Sequence, residues 1–145
     1  MGRRELPTRR AGYTQQVRVA HQGVYLRTGE FEDGTLGEIF LDARKVSPAA
    51  QGALSSFAIA VSLGLQHGVP LQALVARFRG APFQPRGSVA GHEAVVEATS
   101  IVDYVVQDLA ISYLGAVPPP ALPTEETPEH LTRVTLGGAS VAIGT

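Results

Sequence analysis

At Ser47-Pro48 the hydrophobic period of the chain changes, and this change constrains the fold more than any other feature. Before it, apolar residues alternate with polar ones along Gln16-Val17-Arg18-Val19-Ala20, again from Val24 to Phe31, and again from about Leu36 to Asp42. A period of two puts successive side chains on opposite faces of a strand. Gly23 breaks the first run and Asp33-Gly34 the second, where glycine accepts the positive φ of a tight hairpin. The expected product is a three-stranded antiparallel meander. Arg18, Arg27, Glu38 and Asp42 lie among the apolar positions and mark its second face as wet.

After the change the period is helical. Ser47 is placed to cap free amides and Pro48 suits the first helical position. Leu54, Phe57, Ala58, Val61 and Leu65 form one stripe, while Ile59 and Leu63 add a second side, predicting a central helix buried on two sides. His67-Gly68 ends it and Pro70 opens a shorter helix through Leu71, Leu74, Val75 and Phe78. Gly80, Pro82, Pro85, Gly87 and Gly91 predict a long loop. A last helix is expected from about Ala94 to Leu114, with Val95, Val102, Val105, Leu109 and Tyr113 on one stripe. The fold class is α+β, in the order β-β-β-α-α-α.

Three regions follow: a basic arm or linker at 1–13, an α+β body at 14–115, and a proline-rich, acidic tail at 116–145. The tail carries Pro118, Pro119, Pro120, Pro123 and Pro128 among Glu125, Glu126 and Glu129, and reads as an extended connector. Its end, Thr132 to Ile143, shows β-like alternation that leaves strand or coil open. The chain has 145 residues, 44% of them hydrophobic, enough for one core without staples. No cysteine is present, which excludes disulfides, thiolate metal sites and thiyl chemistry. No apolar run of about 20 residues and no leader-like start is read, so the expectation is a cytoplasmic chain without a membrane partner.

The search for chemistry is mostly negative. The glycines from Gly29 to Gly37 belong to a hairpin and precede no helix, unlike a phosphate loop. His21, His67, His92 and His130 lack ligand spacing and read as surface, turn or capping residues. Ser55, Ser56 and Ser62 read as packing, and Glu30, Glu32, Asp33, Glu38 and Asp42 as a solvated edge that discourages further strand pairing. No catalytic, cofactor-binding or metal-ligating residue is assigned, and no cofactor is expected. The candidate contacts for a partner or an anion are the arm residues Arg3, Arg4, Arg9 and Arg10, with Arg44, Lys45, Arg77, Arg79 and Arg86.

Several fragments taken in order carry a resemblance: Val24-Tyr25-Leu26, Gly37-Glu38-Ile39-Phe40, Phe57 to Leu65, His67-Gly68-Val69-Pro70, Leu74 to Phe78, and Thr99 to Tyr104. Over about residues 3–115 the chain resembles the TSCPD-type C-terminal domain of adenosylcobalamin (vitamin B12)-dependent class II ribonucleotide reductases. Arg3-Arg4-Glu5-Leu6-Pro7 looks like the linker that joins such a domain to the reductase barrel. The family's cysteine-bearing versions imply a metal site. Here the corresponding places are held by residues around Gln22, Val46-Ser47 and Phe83, with Ile101-Val102 where the signature would have Cys-Pro, so the metal is not inherited. Ile101, Val102 and Phe83 are expected to replace it by packing.

The resemblance implies a non-catalytic accessory subunit or split C-terminal domain of a B12-dependent ribonucleoside-diphosphate reductase, with the catalytic chain as partner in deoxyribonucleotide synthesis. The alternative from a different class is a free-standing nucleic-acid- or nucleotide-binding module using the arginines, for which strong salt dependence is expected. Self-association into a homo-oligomer is compatible with either.

Overall fold

The computed structural model describes residues 2–116, together with the backbone of two strands further on. The expected meander is present as β1 (Thr14–Val19), β2 (Gln22–Glu30) and β3 (Leu36–Ala43), followed by α1 (Pro48–Gln66) and α2 (Leu71–Phe78). The predicted long loop contains two short strands, β4 (Gly87–Ala90) and β5 (Glu97–Ala98), before α3 (Ile101–Leu114). The sheet is therefore five-stranded, in the order β3-β2-β1-β4-β5, with every pairing antiparallel. β4 exists because β1 offers it a free edge: Arg18 pairs with Ala90 and Val19 with Val89. The last helix starts at Ile101, not near Ala94, since Ser100 is extended and its hydroxyl accepts the Asp103 amide as an N-cap. Further on, β6 (Thr132–Leu136) and β7 (Ala139–Ile143) pair as an antiparallel hairpin. The proline-rich acidic stretch and His130 lie outside the described residues.

Val17, Val19, Val24, Leu26, Ile39 and Leu41 form the inner face of the sheet and are buried against the helices. The helix at the centre is α3, whose residues 101–110 are all buried, including Asp103, Gln107 and Asp108. The hydrophobic pattern predicts α1 in that place. Instead α1 lies along the outer edge of β3, burying Leu54, Ala58, Val61 and Leu65 and leaving Ile59 and Leu63 exposed. Its polar residues explain the position. Gln51 accepts from the Ala43 amide and donates to the Leu41 carbonyl, Ser62 accepts from the Ile39 amide, and Gln66 donates to the Gly37 carbonyl. An edge strand exposes a row of unpaired backbone groups, and here a helix satisfies them, in place of the guard of acidic residues that the sequence suggests. α1 is long and apolar enough by length and composition to cross a membrane, but these four bonds and its buried stripe tie it to the sheet.

The arm folds back on the body. Gln66 holds it twice, its side chain accepting from the Arg3 guanidinium and its carbonyl from the Arg4 amide. Arg4 also lies over the Phe31 ring and pairs with Asp33, while Arg10 pairs with Glu38. The Asp33 carboxyl, bonded to the Thr35 hydroxyl and amide and to Arg4, is lowered to about 2. Ala11 and Tyr13 extend β1 by accepting from the Glu30 and Thr28 amides. At Gly12 a β-carbon would collide with the Thr28 carbonyl, so only glycine lets the arm approach so closely.

The β1–β2 turn is made by Ala20 and His21 at φ 47° and 75°. A two-residue hairpin turn of this hand suits asparagine and glycine, and an ordinary residue held there is strained. Replacing Ala20-His21 with Asn-Gly is expected to raise stability by about 1 kcal/mol, read as an increase in the urea midpoint with unchanged slope.

Candidate functional site

The most enzyme-like cluster sits under α3. His92 Nε2 lies 2.7 Å from Asp108 Oδ1, the other Asp108 oxygen accepts from the Tyr13 hydroxyl, and the Ser112 hydroxyl is 3.0 Å from the Tyr13 oxygen. His92 Nδ1 accepts from the Ala94 and Val95 amides at 3.0 and 2.9 Å, so Nε2 carries the proton and donates to Asp108. Both ring nitrogens are thus committed, the imidazole is 8% exposed, and its edge meets the Tyr104 ring. A general base needs a free lone pair facing substrate, and this ring has none. The cluster is a staple that holds the 91–95 loop and the arm to α3. His92 is not a surface residue but takes the turn role among those expected of it, its Nδ1 holding the amides of the 92–95 bend, and His67 closes the end of α1. Among the described residues no group of three or more His, Cys, Asp or Glu is arranged to hold a metal.

At the positions where the resemblance implies thiols, the packing is only partly apolar. Ile101 and Val102 are buried, as expected, but Phe83 is 45% exposed and fills nothing, because its loop is fixed by its backbone amide bonding to the Thr99 carbonyl.

The nine candidate basic residues do not form one patch. Arg3, Arg4 and Arg10 face the chain's own Gln66, Asp33 and Glu38, and Arg79 is held by Asp103 at 2.8 Å. Arg9 and Arg77 are exposed, Arg86 is half-buried, and none of these three enters an ion pair among the described residues. Only Arg44 and Lys45 come together, and their neighbours are two residues that sequence reading did not select, Arg18 and His21.

What remains open is the outer face of the sheet. By the strand register, Thr14, Gln16, Arg18, Tyr25, Arg27, Phe40 and Asp42 share it, and among the described residues no helix lies across it. Arg27 stacks over Phe40 at 4.3 Å. Where this face meets the α1 ridge a groove of about 620 Å³ runs between Tyr25, Arg27 and Phe40 on one side and Ile59, Leu63 and Ser55 on the other. Phe40 is 44% and Ile59 60% exposed, so two large apolar side chains stand beside a charged stripe. Isolated apolar residues on a surface carry no message, but clustering in a groove rimmed by polar groups marks a binding surface.

Among the described residues the fold is a small α+β domain with a closed core and one exposed sheet face. The chain belongs to the TSCPD domain family, which matches residues 2–113. It is 54% identical over 113 residues to the vitamin B12-dependent ribonucleotide reductase of Agrobacterium fabrum and 52% identical over 113 residues to that of Bradyrhizobium diazoefficiens. The protein of that name from Streptantibioticus cattleyicolor is 38% identical over 112 residues. Each match takes in 77–78% of this chain but only 9% of the first two relatives and 18% of the third, so the similarity is to a small domain of larger proteins. No solved structure matches the chain. Vitamin B12 is in the relatives' name; the groove at the sheet, about 620 Å³ and open to solvent, does not enclose a corrinoid ring.

Proposed function

We propose that this domain is the non-catalytic part of a vitamin B12-dependent ribonucleotide reductase, an accessory subunit or split C-terminal domain that docks on the catalytic chain in the cytoplasm. The observation that carries the reading is the 54% identity to a domain making up 9% of such a protein. The groove between α1 and the open sheet face supplies the surface, with Phe40, Ile59 and Leu63 as apolar anchors and Arg27 and Asp42 as its polar rim. Interface energy concentrates in a few such anchors. Nucleic-acid binding is the weaker reading, because three of the four arm arginines are spent on contacts within the chain.

Titrating the chain with a purified B12-dependent reductase catalytic chain tests the proposal. Saturable binding at micromolar concentration is expected, and Phe40→Asp with Ile59→Asp should weaken it at least about tenfold, equivalent to about 1.4 kcal/mol. Both side chains face solvent, so circular dichroism of the double variant should match the parent. No binding at tens of micromolar, the order of a weak encounter, would sink the reading. Light scattering across a concentration range separates it from self-association through the same face.

A further inference from the structure

We infer that the hollow at the β1–β2 turn is a site for a small ligand bearing a polyphosphate group, independent of the docking groove. The hollow, of about 360 Å³, is lined by Gln16, Arg18, His21, Gln22, Gly23, Arg44 and Lys45, with no carboxylate in its wall. Arg18, Arg44 and Lys45 enter no ion pair among the described residues. Three cations gathered without a counter-charge repel one another, and an anion relieves the repulsion. The fold builds this arrangement across two hairpins. Gly23 pairs with Arg18 on β1, and on its other side its carbonyl accepts the Arg44 amide. The Arg44 stem lies over Gly23, at ordinary van der Waals distance from where a β-carbon would be, on the sheet face that also carries Arg18.

A second, independent observation concerns the backbone. The described residues other than glycine with positive φ are Ala20, His21 and Lys45, and all three are at this hollow or in its turn. Strained positions cluster where a ligand site over-determines the backbone. Here the strain sets His21 and Lys45 on the rim. Guanidinium pairs match phosphate oxygens by bidentate, charge-assisted bonds, and a compact hollow lined by two guanidiniums and an ammonium suits a di- or triphosphate better than an extended strand. A nucleic-acid track would need charge spread along the surface, and the other basic residues are dispersed or internally paired.

The test is calorimetric titration of the full chain with tripolyphosphate at low salt, with amide chemical shifts followed by NMR. Saturable one-to-one binding is expected, with the largest shifts at residues 21–23 and 44–45 and weakening by about tenfold or more in the Arg18→Ala, Arg44→Ala double variant. Arg9→Ala, at an exposed position outside the hollow, should bind tripolyphosphate as the parent does. A nucleoside triphosphate in place of tripolyphosphate reports whether the site reads more than phosphate; equal or tighter binding supports it. Absence of saturation up to about 10 mM overturns the inference. So does unchanged affinity in the double variant, or preferential binding of a single-stranded oligonucleotide that Arg9→Ala and Arg77→Ala weaken equally. The NMR shifts are read on the unaltered protein, so a misfolded variant would leave the answer intact.

Discussion

Replacing Asp103 by alanine is expected to cost about 3–5 kcal/mol of folding free energy, a large part of the roughly 5–15 kcal/mol typical of a whole domain. The carboxylate is 1% exposed and accepts four bonds: from Arg79 Nη1 at 2.8 Å, the Gly80 amide at 2.6 Å, the Thr99 amide at 3.0 Å and the Gln107 side chain at 2.9 Å. It sits in the first turn of α3, where the helix dipole also favours negative charge. Alanine would strand two backbone amides and a guanidinium, and each such orphan is costly. The near-isosteric Asp103→Asn would not rescue the fold, because the new amide nitrogen would face donors on one side. Arg79→Ala, by contrast, leaves three of the four donors in place and removes a partner that is 38% exposed, so about 1–2 kcal/mol is expected. Urea denaturation of the three variants distinguishes a cradle of amides from a simple ion pair. Equal losses for Asp103→Ala and Arg79→Ala would mean that the ion pair, not the amides, is the source.

Asp103 also shows why periodicity misplaces one helix. In α3 the polar residues Asp103, Gln107 and Asp108 look like the wet side of an amphipathic stripe, yet all three are buried. Their bonds go to Gly80 and Thr99, to the Glu97 carbonyl, and to His92 and Tyr13, groups that no periodicity rule connects. α1 is the converse case: its second apolar side, Ile59 and Leu63, meets solvent, because Gln51, Ser62 and Gln66 turn the helix against a strand edge. The meander was legible since local alternation and Asp33-Gly34 suffice to define it. β4 and β5, four and two residues long, have no pattern of their own: β4 forms against β1 and β5 against β4. Of the candidate site, Arg44 and Lys45 were visible as charges; what joins them to Arg18 is the strand register through Gly23, a tertiary fact. The arm's arginines were equally visible, but their partners Gln66, Asp33 and Glu38 lie on three different elements or turns.

The same buried polar network fixes the domain's alkaline limit. Raising the pH above about 10, the ordinary tyrosine value, is expected to unfold the protein cooperatively. Tyr104 is fully buried and its hydroxyl has no hydrogen-bond partner among the described residues; burial, reinforced by the nearby Asp108 charge, pushes its ionisation far up. Tyr13 is raised by burial and by the Asp108 carboxylate to which it donates, and Tyr113 by burial and by Glu30 in the same way. In the unfolded chain these hydroxyls ionise near pH ~10, while in the fold they keep their protons. Above that pH the unfolded form binds fewer protons, so the stability present below it is lost as the pH rises. The slope is about 1.4 kcal/mol per pH unit for each tyrosine kept neutral, hence about 3 kcal/mol per unit from Tyr104 and Tyr13 together. Tyr113, in closer contact with solvent, adds less. Tyrosinate absorbance and far-ultraviolet circular dichroism should therefore change together along the titration. Tyr104→Phe removes a buried hydroxyl without a partner among the described residues, so it should leave the neutral-pH stability unchanged or raise it by about 1 kcal/mol while taking one tyrosine's share from the alkaline slope. If the buried tyrosines ionise near pH ~10 with the circular dichroism intact, the α3 cluster opens locally without unfolding, and His92 would be the residue to examine for a second, solvent-facing state.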